Sequence, residues 1–84
     1  MNLFVSNISR TVNENALRAL FSEFGEVASV KIIGDKYTGE SRGFGFVNML
    51  SDTQALIAIK RLENAEFFGR RLLVSKARPN VRNK

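Results

Sequence analysis

The segment Arg42-Gly43-Phe44-Gly45-Phe46-Val47-Asn48-Met49 alternates with a period of two. Neighbouring side chains of a strand point to opposite faces, so Gly45, Val47 and Met49 share one face and Phe44, Phe46 and Asn48 the other. The first face is apolar or glycine throughout. The second mixes aromatic rings with a polar amide, which is costly to bury without partners. A strand over Phe44–Leu50 is therefore expected to present its rings to water and its aliphatic side chains to a core.

Outward from this strand, the same parity recurs. Leu3–Ser6, Val27–Ile33 and Leu72–Ala77 read as strands, β-branched or apolar and bounded by loop formers. Leu3, Val5, Val30, Ile32, Leu72 and Val74 fall on the aliphatic face, and Asn2, Phe4, Ser6, Lys31, Ile33, Arg71, Leu73 and Ser75 on the other. Between the first and second strands, Ala16, Leu17, Leu20, Phe21 and Phe24 form a helical stripe opened by an Asn13 cap, with Gly25 expected at the C′ position. After the third strand, Ser51-Asp52-Thr53-Gln54 is a capping box before the stripe Ala55, Ala58, Ile59 and Leu62. Asn64 and Gly69 bracket a short irregular piece. Phe21, Phe24, Phe67 and Phe68 read as core or edge packing.

The order βαββαβ, with right-handed crossovers, puts both helices on one face of a four-stranded antiparallel sheet. The fold class is α+β, a ferredoxin-like sandwich whose other sheet face is bare. With 84 residues the chain suits one domain, over residues 1–78, followed by a basic tail over 79–84.

The chain has no His and no Cys, which excludes disulfides, Cys or His metal sites, thiol nucleophiles and imidazole catalysis. No cofactor and no enzymatic activity are expected. No apolar run is long enough to span a bilayer and no secretory leader is apparent, so the expected compartment is the cytoplasm, with the nucleus the other compatible one. The net charge is +5, and it is lopsided: residues 1–41 carry four basic and five acidic groups, residues 42–84 nine and three. Such asymmetry fits a polyanionic partner. Exposed rings beside cations suit unstacked bases, because every base has a π-face and every linkage a negative phosphate. The same reasoning covers single-stranded RNA and single-stranded DNA.

Residues 42–49 resemble the RNP1 octamer of the RNA recognition motif, fitting seven of its eight positions, one of which accepts any residue. Leu3-Phe4-Val5-Ser6-Asn7-Ile8 resembles the RNP2 hexamer, and Asp35, Thr38-Gly39 and Ser41 resemble the lead-in to RNP1. The chain is similar to short single-motif bacterial proteins and to the corresponding domain of glycine-rich RNA-binding proteins. The resemblance implies that Phe4 and Phe44 stack on bases, that Phe46 packs on a sugar or second base, and that Arg42 meets a phosphate. It further implies hydrogen bonds or charge from Asn7, Lys31, Asn48, Ser75, Lys76 and Arg78. Met49 departs from the octamer, which has Phe or Tyr there, but parity puts it on the helix side.

Two rival functions remain on the residues. Leu56 and Ile57 lie off the second helix's stripe, where a protein partner or a second copy would find apolar surface, so a protein-interaction module is the runner-up. An enzyme similar to acylphosphatase would need a phosphate-cradling loop after the first strand, but Asn7–Val12 has no glycine and a single cation, Arg10.

Overall fold

Alternation in β3 (Ser41–Met49) leaves Gly45, Val47 and Met49 buried, while Phe44, Phe46 and Asn48 lie on the opposite face of the strand. The structure, a computed structural model, describes residues 1–34, 37, 38 and 41–77, with Ser41 and Arg42 described in backbone only. Around β3 stand β1 (Asn2–Ser6) and β2 (Val27–Gly34), and β6 (Leu73–Lys76) completes a sheet of order β2-β3-β1-β6. Every neighbouring pair in it is antiparallel. Helix α1 (Glu14–Ser22) follows β1 and α2 (Asp52–Leu62) follows β3.

Both helices cover the aliphatic face. Leu17 and Phe21 of α1 and Ala55, Ala58 and Leu62 of α2 join Leu3, Val5, Val47, Met49, Leu72 and Val74 in one buried cluster. No polar or charged side chain is buried among the described residues, so the core is held by apolar burial and close packing. This is the α+β ferredoxin-like arrangement expected from the alternation.

Local signals explain the helix starts. Asn13 Oδ1 accepts the Ala16 N–H at 2.8 Å, and Ser51 Oγ accepts the Gln54 N–H at 3.2 Å, each satisfying an otherwise orphaned donor. The expected role of Gly25 is corrected. Helix α1 ends with a right-handed C-cap at Glu23, and Gly25 has no left-handed φ. The Gln54 side chain occupies the space a Cβ at this position would need, so a larger residue would have to displace it.

The segment between Asn64 and Gly69 is also more regular than expected. A small hairpin pairs β4 (Glu66–Phe67) with β5 (Arg70–Arg71) around a two-residue turn. Phe68 and Gly69 both have positive φ, 54° and 83°, as a type I′ turn requires. Phe67 packs against the core, and Phe68 is 55% exposed with its ring against that of Phe67, so of the core or edge packing expected for it the structure shows the edge.

Acidic side chains seal both edge strands. Glu14 Oε2 accepts the Ile32 N–H on β2 at 3.0 Å, and Glu63 Oε1 accepts the Val74 N–H on β6 at 2.6 Å. Unpaired edge donors invite pairing with other chains, and these carboxylates remove two of them.

Candidate functional site

The strand register builds the uncovered face in rows. Phe4 of β1 lies opposite Phe46 of β3 and Ser75 of β6, and Phe46 lies opposite Lys31 of β2. The central row across the sheet is therefore Lys31, Phe46, Phe4, Ser75. On one side of it runs a polar row, Ser29, Asn48 and Asn2, and on the other runs Phe44, Ser6 and Leu73.

Phe4 is the hub of the rings. Its centroid lies 5.5 Å from that of Phe46 and 5.9 Å from that of Phe44, tilted at 53° and 44°. These separations suit edge-to-face and offset contact between rings. The mutual contact leaves Phe4 and Phe44 half-buried and Phe46 39% exposed, and no helix covers them.

Two glycines make this surface possible for different reasons. Gly43 holds φ +87° while its carbonyl accepts the Ile8 N–H at 2.8 Å, a conformation that L side chains rarely adopt. Gly45 faces the backbone of β2, where a Cβ would run into the Lys31 carbonyl and lie 3.0 Å from Ile32 Cα. The octamer thus needs its first glycine for conformation and its second for close approach.

Two clefts flank Phe4. One of about 380 Å³ is lined by Phe4, Ser6, Asn7, Ile8, Arg10, Gly43, Phe44 and Arg70. The other, about 270 Å³, is lined by Phe4, Phe46, Ser75, Lys76 and Ala77. Lys76 pairs in register with the buried Leu3, yet it is exposed at the strand's end and contributes to this second cleft.

Of the residues singled out from sequence, Phe4, Phe44, Phe46, Lys31, Asn48 and Ser75 share the open sheet face. Asn7 stands apart, because its amide is engaged within the protein. With φ +59°, it donates through Nδ2 to the Arg71 carbonyl at 2.6 Å and accepts from Arg70 Nε and Nη2 at 3.1 and 2.6 Å. The side chain of Arg42 and the whole of Arg78 lie outside the described residues, as does the tail over 79–84. Arg70 and Arg10, by contrast, line the first cleft without having been singled out as site residues. A cation on the face of the β4–β5 hairpin has no local signature linking it to a loop more than sixty positions earlier.

Among the described residues no group of His, Cys, Asp or Glu is arranged to hold a metal, and no helix is long and apolar enough to cross a membrane. On α2, Leu56 and Ile57 are 53% and 45% exposed, as expected from their place off the stripe.

Comparison with known proteins gives consistent matches. The family model described as RNA recognition motif matches residues 3–73. A Nostoc protein bearing the name RNA-binding protein RbpB is 47% identical over 79 residues, 94% of this chain and 77% of that one. The crystal structure of RNA-binding protein PG1 superposes with a TM-score of 0.90 at 44% identity, covering 94% of this chain and 98% of that one. A Sex-lethal protein–RNA complex matches with a TM-score of 0.86 at 35% identity, over 90% of this chain and 47% of that one.

Proposed function

Since this chain belongs to the RNA recognition motif family, we propose that it binds single-stranded RNA without catalysis, seating unstacked bases on Phe4, Phe44 and Phe46. The observation that carries this reading is the uncovered central row, in which two contacting rings lie between a lysine and a serine. Base stacking on an aromatic side chain is worth about 1–3 kcal/mol per base, and it requires rings left free of helical cover. Lys31, Lys76, Arg42 and Arg78 supply charge for phosphates, while Asn48 and Ser75 offer hydrogen bonds at either side of the rings. Residues 1–78 form the binding unit and 79–84 add positive charge. Stacking and phosphate attraction act on single-stranded DNA as well, so discrimination rests on contacts to the 2′-hydroxyl.

Fluorescence anisotropy with a labelled single-stranded RNA of mixed sequence tests this. Phe44→Ala and Phe46→Ala are each expected to weaken binding by about 1–3 kcal/mol while the variants stay folded. Binding of both variants at wild-type strength would remove the rings from the interface.

The exposed Leu56 and Ile57, in an apolar groove of about 500 Å³ with Thr53, Ile59 and Lys60, favour a second reading in which α2 meets a protein partner. That surface lies on the helical layer, away from the open sheet face, so the two roles do not compete for residues.

A further inference from the structure

We propose that Arg70, held by Asn7, reads the edge of the base stacked on Phe4 or Phe44 and selects guanine there. The inference rests on the RNA-binding reading above and adds a residue that assigns specificity. Arg70 Nε and Nη2 both donate to Asn7 Oδ1, at 3.1 and 2.6 Å, so the side of the fork that carries Nε is occupied. Of the five N–H donors of an arginine, the two on Nη1 and the second on Nη2 have no partner among the described residues. They form the end of the fork, which suits two adjacent acceptors in one plane.

The anchor is itself fixed. Asn7 donates through Nδ2 to the Arg71 carbonyl at 2.6 Å, which settles which amide atom faces Arg70. Its φ of +59° places it in the left-handed region, which asparagine tolerates better than most residues. One amide therefore ties the loop after β1 to β5 and orients the arginine over a cleft of about 380 Å³ that Phe4 and Phe44 also line.

The rings decide what the fork meets. A base stacked on Phe4 or Phe44 turns its edge, not its phosphate, toward the cleft wall. Guanine offers O6 and N7 as adjacent acceptors and pairs with arginine in a bidentate manner, whereas adenine puts a donor beside its N7. Unstacked bases in single-stranded RNA expose this edge. A phosphate also offers two oxygens in one plane and is the other source of the same acceptor chemistry.

The test uses octauridylate and its derivatives carrying one guanosine, adenosine or 7-deazaguanosine at each position in turn. Wild-type protein is expected to bind guanosine at one position about tenfold more tightly than adenosine there. The 7-deaza analogue, which keeps the ring and the phosphates but lacks N7, should lose most of that gain. Arg70→Lys keeps the charge and removes the fork, so it should abolish the guanosine preference by weakening the guanosine-bearing RNA more than octauridylate. Asn7→Gly keeps the positive φ and frees Arg70, and should likewise erase the preference. A preference that survives in Arg70→Lys, or no guanosine preference in wild type, would overturn the inference. Equal weakening of every RNA by Arg70→Lys would assign Arg70 to a phosphate and overturn it too. Failure of the underlying reading looks different: wild-type protein would bind none of the octamers.

Discussion

Phe4 and Phe46 stand opposite each other in antiparallel strands with ring centroids 5.5 Å apart, although 42 positions separate them in the chain. Phe4 also touches Phe44 and lines both clefts. Replacing it should therefore disturb binding at more than one base. Phe4→Leu keeps an apolar side chain over the sheet but removes the π-face. RNA affinity is expected to fall by about 1–3 kcal/mol and thermal stability to change much less. Anisotropy titration beside a thermal melt checks this, and an unchanged affinity would remove Phe4 from the platform.

Salt dependence should report the cations separately from the rings. Each phosphate contact on a single strand contributes about −0.7 to the log–log slope of affinity against salt. Lys31→Gln, at the β2 end of the central row, is expected to flatten the slope by about that amount, whereas Phe46→Leu should lower affinity with the slope intact. A Lys31→Gln slope equal to wild type would place Lys31 outside phosphate reach.

Gly45→Ala tests the close approach of β3 to β2. The new Cβ would press on the Lys31 carbonyl and on Ile32 Cα, and both are backbone, so the strands themselves must move. A loss of about 1–3 kcal/mol in urea denaturation is expected. The row that pairs Lys31 with Phe46 would be displaced with it.

Phe68→Asn should stabilise the protein. Phe68 holds φ 54° at the first central position of a type I′ turn and is 55% exposed. The left-handed region costs most L residues about 1–2 kcal/mol, and Asn-Gly is the pair this turn favours. A gain of about 1 kcal/mol in chemical denaturation is expected, reduced by whatever the contact with Phe67, at 4.8 Å between centroids, contributes. A loss of stability would mean that the Phe67–Phe68 contact outweighs the strain.

Glu63 makes an edge-sealing bond whose loss should be measurable. Its carboxylate accepts the part-buried Val74 N–H at 2.6 Å. Glu63→Ala leaves that donor without its partner, at a cost of about 1–2 kcal/mol. Glu63→Gln retains an acceptor oxygen and should recover most of the loss.

The sandwich and its open face were legible because the period-two pattern in residues 44–49 admits one assignment: slip it by one position and Phe46 and Asn48 exchange places with Val47 and Met49. The helices were legible from Asn13, Ser51 and their apolar stripes. The β4–β5 hairpin was not, because its turn uses Phe68-Gly69 where an Asn-Gly pair would have announced it. Gly25 misled for a related reason. A glycine just past a helix usually serves the backbone, but here it makes room for Gln54, a contact no local pattern reveals. Within the candidate site, residues that alternate along strands could be placed from sequence. Asn7 and Arg70 could not, since their pairing depends on how a loop and a hairpin 63 residues apart are brought together.

The central claim, that bases lie on the bare face of the sheet, is tested most directly by ring resonances. Protein carrying ¹³C-labelled phenylalanine, titrated with octauridylate, should show large ring-current shifts at Phe4, Phe44 and Phe46 and little change at the buried Phe21. Unmoved Phe4, Phe44 and Phe46 at saturating RNA, with shifts confined to residues of α1 and α2, would contradict it.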